Sequence, residues 1–173
     1  MVGEAALIVS LVGLALVLSQ KVASSGGVMT AEQVRALAEY TVQRYFPAVD
    51  PVMLQAMARI ESSYNPAAFR YEAHLGDASS GLMQTLRSTA RWLWDDMGSR
   101  AFGRPDYSDL TDPGVSMYFG AAYVNWLRRY KGQTRSEEWI VRAYNGGPGF
   151  STGATQNHWN KYQAVKAAIT GGS

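Results

Sequence analysis

From residue 34 onward, apolar positions recur at intervals of three and four, the spacing of a helical stripe turned toward a core. Val34, Leu37, Ala38 and Thr41 follow Thr30-Ala-Glu-Gln33, a capping box in which side chain and backbone satisfy each other at a helix start. A helix is therefore expected over 31 to 45, with Pro47 stopping it. Asp50-Pro51 and Asp112-Pro113 share one start signal: an N-cap acceptor ahead of a proline whose fixed φ suits the first turn. The helix opened by Asp112 carries Val115, Phe119, Tyr123, Trp126, Leu127 and Tyr130, a wide apolar stripe that marks it as the central core helix. Further helices are expected around 81 to 97, 135 to 144 and 157 to 169. Only 64 to 80 lacks helical periodicity, so any strand would be a small hairpin there. The fold class is mainly α, with short connections and one possible β excursion.

The first segment has a different pattern. Residues 5 to 18, AALIVSLVGLALVL, carry no charge and are apolar on every side, which asks for lipid or complete burial. At ~1.5 Å per residue, these 14 residues reach ~21 Å, short of a hydrocarbon core of ~30 Å. Snorkelling end residues or a thinned bilayer would close that gap. A cleaved signal peptide is the rival, but it needs a positive n-region, and Met-Val-Gly-Glu precedes the run. The expected organisation is an N-terminal transmembrane anchor over 1 to 22, a flexible linker over 23 to 29 and one globular domain over 30 to 173. Lys21 follows the apolar run and weakly favours an inside C-terminus, a poor match to a domain that works outside the membrane.

Composition narrows the chemistry. At 173 residues and 47% hydrophobic content, the chain can bury a core without staples. It has no cysteine, which excludes disulfides, thiolate zinc clusters and thiol nucleophiles. A formal net charge of +2, spread along the chain, is too mild for a dedicated nucleic-acid binder. His74 and His158 lack partners at metal-ligand spacing, so neither a metal nor another cofactor is expected.

The candidate chemistry centres on Glu61, in ARIESSYNPAAF, residues 58 to 69. It lies i+7 from Leu54, i+4 from Met57 and i+3 from Ala58, on or beside the buried face of its helix. Desolvation there disfavours the ionised form, which is what a general acid requires. A helix-end glutamate that reaches solvent, or pairs with Arg59, Arg70 or Arg142, is the plain alternative. Two further segments, SSGLMQ at 79 to 84 and RAYNGGPG at 142 to 149, set glycines beside polar and aromatic side chains. Glycine lets backbone approach a ligand closely, and tyrosine and glutamine offer a flat face and an amide to sugar hydroxyls.

In this order the blocks resemble the lytic transglycosylases of the soluble type (SLT), which share a lysozyme-like fold with goose-type lysozymes. The resemblance runs over residues 31 to 169. It rests on Glu61-Ser62 with Asn65-Pro66, on Gly81 to Gln84, on Ala143 to Asn145 with Gly147 to Gly149, and on DPGVSMYFGAAYVNWLRRY between them. It implies that Glu61 is the single catalytic acid and base. Glu61 would cleave the β-1,4 bond between N-acetylmuramic acid and N-acetylglucosamine in peptidoglycan and leave 1,6-anhydro ends. Ser80, Met83 and Gln84 would line the saccharide groove, Tyr144 would orient the Glu61 carboxyl, and Asn145 would support that turn. Tyr162 would be a C-terminal aromatic closing the groove. Trp92 and Trp94, two apart on a helix, cannot share one narrow stripe; either both pack in the core or one is a sugar-stacking platform.

The chain departs from the family pattern where a serine is expected nine residues after the glutamate; that position is Arg70, in the insert RYEAHLGDASSG. Ser62, Arg70, Glu72 and Asp77 are therefore auxiliary candidates with two readings. Glu72 or Asp77 positions a water, turning the reaction toward goose-type hydrolysis, or Arg70 pairs with one of them and braces the hairpin, the reading we favour. A non-catalytic peptidoglycan-binding or assembly protein is a third possibility. The expected partners are peptidoglycan strands, a membrane through the first segment, and proteins of a virion or envelope complex. The expected setting is a virion membrane or bacterial envelope.

Overall fold

The computed structural model describes residues 27 to 171. The anchor expected over 1 to 22 and most of the linker lie outside the described residues. Among the described residues no helix is long and apolar enough to cross a membrane.

The first helix, α1 (Ala31–Tyr45), starts at the capping box: Gln33 N–H donates to Thr30 Oγ1 at 3.2 Å and Thr30 N–H to Gln33 Oε1 at 2.8 Å. Asp50 caps α2 (Pro51–Ser62) through the Val52 N–H at 2.9 Å. The chain then turns into an antiparallel hairpin of β1 (Phe69–Glu72) and β2 (Asp77–Ser80), with Phe69 opposite Ser80 and Glu72 opposite Asp77. A third strand, β3 (Thr85–Leu86), pairs antiparallel with β2 and leads directly into α3 (Arg87–Asp95). A single 3₁₀ turn (Asp109–Thr111) precedes α4 (Pro113–Leu127), where Asp112 Oδ1 accepts from the Gly114 and Val115 N–H groups at 2.8 and 3.0 Å. Ser136 caps α5 (Glu137–Gly146), and α6 (Thr152–Gly171) ends the described chain.

Two expectations need correction. The helix expected from 81 begins only at Arg87, because residues 81 to 84 form a turn with Gly81 at φ +76° and Gln84 at φ +47°, a left-handed geometry that a helix cannot contain. Gly81 is required there: a Cβ on it would stand 1.8 Å from the Leu110 carbonyl oxygen. The second correction concerns α4, which is enclosed on most sides rather than along one stripe. Ser116, Met117, Tyr118, Gly120, Ala121 and Val124 are buried with Phe119 and Leu127, while Val115, Tyr123 and Trp126 are only half-buried and Tyr130 lies beyond the end of the helix at Leu127. Small residues let neighbours close around the helix, and a Cβ on Gly120 would collide with the Met83 side chain at 2.7 Å.

In the packing, α2 lies between α1 and α6, and α4 touches α1, α3 and α5. The larger apolar cluster joins Leu54, Met57, Leu82, Met83, Met117, Leu127 and Tyr162; a smaller one under α3 holds Leu93, Leu110, Tyr118 and Phe119. The entering segment is tied in by a hydrogen bond from Met29 N–H to the Tyr64 carbonyl at 2.9 Å.

Candidate active site

The last turn of α2 sets the position of Glu61. Ser63 and Tyr64 both adopt left-handed backbone (φ +54° and +65°), which stops the helix, and the Ser63 N–H closes it on the Arg59 carbonyl at 3.1 Å. Asn65 Oδ1 then accepts from the Ala67 N–H at 3.0 Å, completing a turn around Pro66. Consecutive non-glycine residues in this region cost roughly 1–2 kcal/mol each, so surrounding contacts must hold them. One is Ser62, whose Oγ reaches the Leu82 carbonyl at 2.8 Å and joins the end of α2 to the Gly81–Gln84 turn.

Glu61 faces a groove of about 430 Å³. The hairpin contributes Arg70, Glu72, His74 and Ser79; the segment leading into α3 contributes Gln84, Thr85 and Leu86; α3 contributes Thr89; α4 contributes Tyr123; and the end of α5 contributes Tyr144 and Asn145. The Glu61 side chain is 11% exposed, at the floor of the groove.

The polar groups around it are mostly committed. Gln84 Nε2 donates to the Ala68 and Gly81 carbonyls at 3.0 and 2.9 Å, and its Oε1 accepts from Ser79 Oγ at 3.1 Å. Both amide hydrogens are thus spent on holding the hairpin to the turn, and toward a ligand the side chain can only accept. Tyr144 donates its hydroxyl proton to the Met83 carbonyl at 2.8 Å and lies 3.2 Å from Thr85 Oγ1, so it does not orient Glu61 by hydrogen bonding as expected. Burial, followed by the charge of Glu61, holds the Tyr144 hydroxyl firmly in its neutral form. Tyr123, tilted against Tyr144 at 5.3 Å between ring centres, is pushed up to about 12 by burial.

Three expected groove residues lie elsewhere. Ser80, Met83 and Tyr162 are each fully buried and none lines the groove. Met83 fills the space above Gly120. Tyr162 stacks on Trp159 and donates to Glu137 Oε1 at 2.6 Å, in a network completed by Lys166 and Asp50. Trp92 and Trp94 are also away from the groove: Trp92 packs edge-on against Trp126, and Trp94 Nε1 donates to the Phe102 carbonyl.

Of the auxiliary candidates, Arg70 pairs with Glu72 at 2.6 Å across the groove-facing side of β1. Asp77 does not line the groove. Burial alone would raise its carboxyl, but the Ser88 N–H, the Tyr107 hydroxyl and the Ala78 N–H outweigh that and hold it below the usual carboxylate range. With its oxygens so engaged, Asp77 is a bracing residue rather than a water-activating one.

One groove neighbour was missed. His158 of α6 places Nε2 3.2 Å from Glu61 Oε1, and the two side chains are 13% and 11% exposed. The ring N–H is not aligned on the oxygen, and neither atom has another hydrogen-bond partner. The sequence held one signal: His158 lies between Thr155 and Tyr162 at helical spacing, both of them on the buried face of α6. Among the described residues no group of three histidine or acidic side chains converges in a metal-binding arrangement.

Comparison with known proteins adds two findings. The family model for the transglycosylase SLT domain matches residues 41–166. In structure, the chain is similar to the 70 kDa soluble lytic transglycosylase of Escherichia coli, with a TM-score of 0.59 and 23% identity over 77% of this chain and 24% of that one. This chain thus spans about a quarter of that protein's length, and at this identity the likeness is one of fold. The mainly helical architecture with a small antiparallel sheet fits the lysozyme-like fold. No curated protein gives a significant sequence match.

Proposed function

The chain belongs to the transglycosylase SLT domain family, and from that premise we propose that it cleaves peptidoglycan glycan strands at the β-1,4 bond between N-acetylmuramic acid and N-acetylglucosamine, leaving 1,6-anhydromuramic ends. The observation that carries this reading is the arrangement of carboxylates: Glu61 lines the groove with its side chain 11% exposed and no lysine or arginine among the described residues paired to it, while Glu72, the other carboxylate of the groove, is paired to Arg70, and Asp77 is hydrogen-bonded outside the lining. Hydrolytic glycosidases ordinarily need two carboxylates flanking the bond; an intramolecular displacement needs one that acts twice.

In the first half, protonated Glu61 gives its proton to the glycosidic oxygen as the bond from C1 breaks, and the electron pair leaves with that oxygen. The muramoyl C6 hydroxyl then attacks C1, and the Glu61 carboxylate takes its proton. One proton leaves and one returns, so the site is regenerated without water entering the product. Tyr123 and Asn145 line the groove in which the strand would lie. Gln84, able only to accept, suits a sugar hydroxyl or amide N–H as its partner.

Digestion of purified peptidoglycan followed by mass spectrometry tests the reading. Products one water lighter than reducing-end fragments are expected; reducing ends instead would mean that Glu72, the other carboxylate lining the groove, activates water as in goose-type lysozymes. Absence of any cleavage would leave a binding or assembly role. As to setting, the uncharged run 5 to 18 supports a membrane anchor that holds the domain within reach of the wall, in a virion membrane or an envelope machine that opens peptidoglycan locally. Recovery of intact residues 1 to 20 in the membrane fraction is the expected outcome; a mature chain starting later would overturn the anchor.

A further inference from the structure

Two buried polar atoms face each other with no other partner: Oε1 of Glu61 and Nε2 of His158, 3.2 Å apart. A buried polar atom left unpaired is disfavoured and rare, and two such atoms within reach of one another have one explanation if a proton lies between them. Other candidates to hold that oxygen are excluded by their own bonds. The Tyr144 hydroxyl proton goes to the Met83 carbonyl, and both amide hydrogens of Gln84 go to backbone oxygens.

We infer that His158 is the positioning residue for Glu61, donating from Nε2–H to Oε1 so that the acid proton resides on Oε2, the oxygen left for the groove. The imidazole proton stays on His158 throughout. In the first half of the reaction Oε2 releases its proton to the glycosidic oxygen, and the charge that appears on the carboxylate is met at Oε1 by the N–H already in place. In the second half Oε2 takes the proton from the C6 hydroxyl, and Oε1 returns to accepting as a carbonyl oxygen. The ring N–H lies off the line to Oε1, and catalytic hydrogen bonds of this kind tighten in the Michaelis complex. The remaining titratable groups lining the groove around this pair are Arg70, Glu72 and His74 of the hairpin, Tyr123 of α4 and Tyr144 of α5. None of them is hydrogen-bonded to Oε1.

The inference rests on Glu61 being the acid and base, and its test separates the two ideas. On soluble glycan strands, His158→Leu should lower kcat by about 10- to 100-fold with KM unchanged, the effect of one hydrogen bond to a charge formed in the transition state. His158→Gln, whose amide N–H can take the same place, should recover most of that loss. Long-range ¹H–¹⁵N spectra of the wild-type imidazole should show the proton on Nε2. Wild-type kcat in His158→Leu, a Gln variant no better than Leu, or a bare Nε2 would each overturn the assignment. If the wild type cleaves nothing, the reading of Glu61 fails, while the imidazole spectrum still decides the pairing; that spectrum also decides it if the Leu variant does not fold.

Discussion

Asp77 offers the sharpest test of how the groove wall is held. Its carboxylate accepts from the Ala78 N–H, the Ser88 N–H and the Tyr107 hydroxyl at 2.8, 2.9 and 2.8 Å, and it is 6% exposed. These bonds tie β2 to the first turn of α3 and to the loop before α4. Asp77→Ala removes the acceptor and leaves its donors unpaired. Hydrogen bonds to a charged group contribute about 1.5–3 kcal/mol each, but they are not additive, and the neutral donors left unpaired set the loss at roughly 3 kcal/mol or more. Against a typical domain stability of about 5–15 kcal/mol, that is a large fraction. Urea unfolding at neutral pH should therefore show a midpoint far below that of the wild type with a similar slope. The pH dependence gives a second reading. The folded-state value of Asp77 is depressed, so the unfolded chain binds the proton more readily. The stabilisation is then fully present above the unfolded carboxylate value of about 3.9 and is lost as pH falls through the folded one. The gap between wild type and Asp77→Ala should accordingly be constant from neutral pH to mildly acidic conditions and narrow below about pH 4. A loss under about 1 kcal/mol at pH 7, or a gap that widens on acidification, would refute the reasoning.

Glu61→Gln should keep the fold by circular dichroism and lose at least ~10²–10⁴-fold in kcat, the contribution of a general acid, with a further loss because the same group acts as base; near-wild-type lysis of sacculi would rule out its catalytic role. Gly81→Ala should cost about 3 kcal/mol or more in thermal or urea unfolding, since the methyl group meets the Leu110 carbonyl and the residue is held at positive φ. Tyr162→Phe should lose about 1 kcal/mol of stability through the Glu137 bond and leave KM for glycan unchanged; a raised KM would return Tyr162 to the groove.

The helix starts were legible because each is encoded within four residues. Thr30 with Gln33, Asp50 with Pro51, and Asp112 with Pro113 carry their own backbone partners, and α1, α2 and α4 begin where those residues stand. The order of three short blocks also sufficed to place Glu61, Gln84, Tyr144 and Asn145 on one groove. What periodicity could not reveal was imposed from a distance. The late start of α3 follows from Gly81 pressed against the Leu110 carbonyl, a residue far along the chain. Met83 and Tyr162 look like ligand contacts in a motif, yet Gly120 and Glu137 draw them inward. His158 has no sequence neighbour that betrays its role, because its partner lies on another helix.

The hydrogen bond from Met29 N–H to the Tyr64 carbonyl fixes where the domain is handled from outside. Chain preceding the domain does not join it at a remote corner; it is fastened to the same left-handed turn that ends α2 just after Glu61. Residues 27 to 29 are thereby coupled to Tyr64 through that bond as well as to α1 through the chain itself. The point where the domain takes up the preceding chain thus lies beside the turn that follows Glu61, so a pull on residues 27 to 29 bears on the segment that holds that side chain.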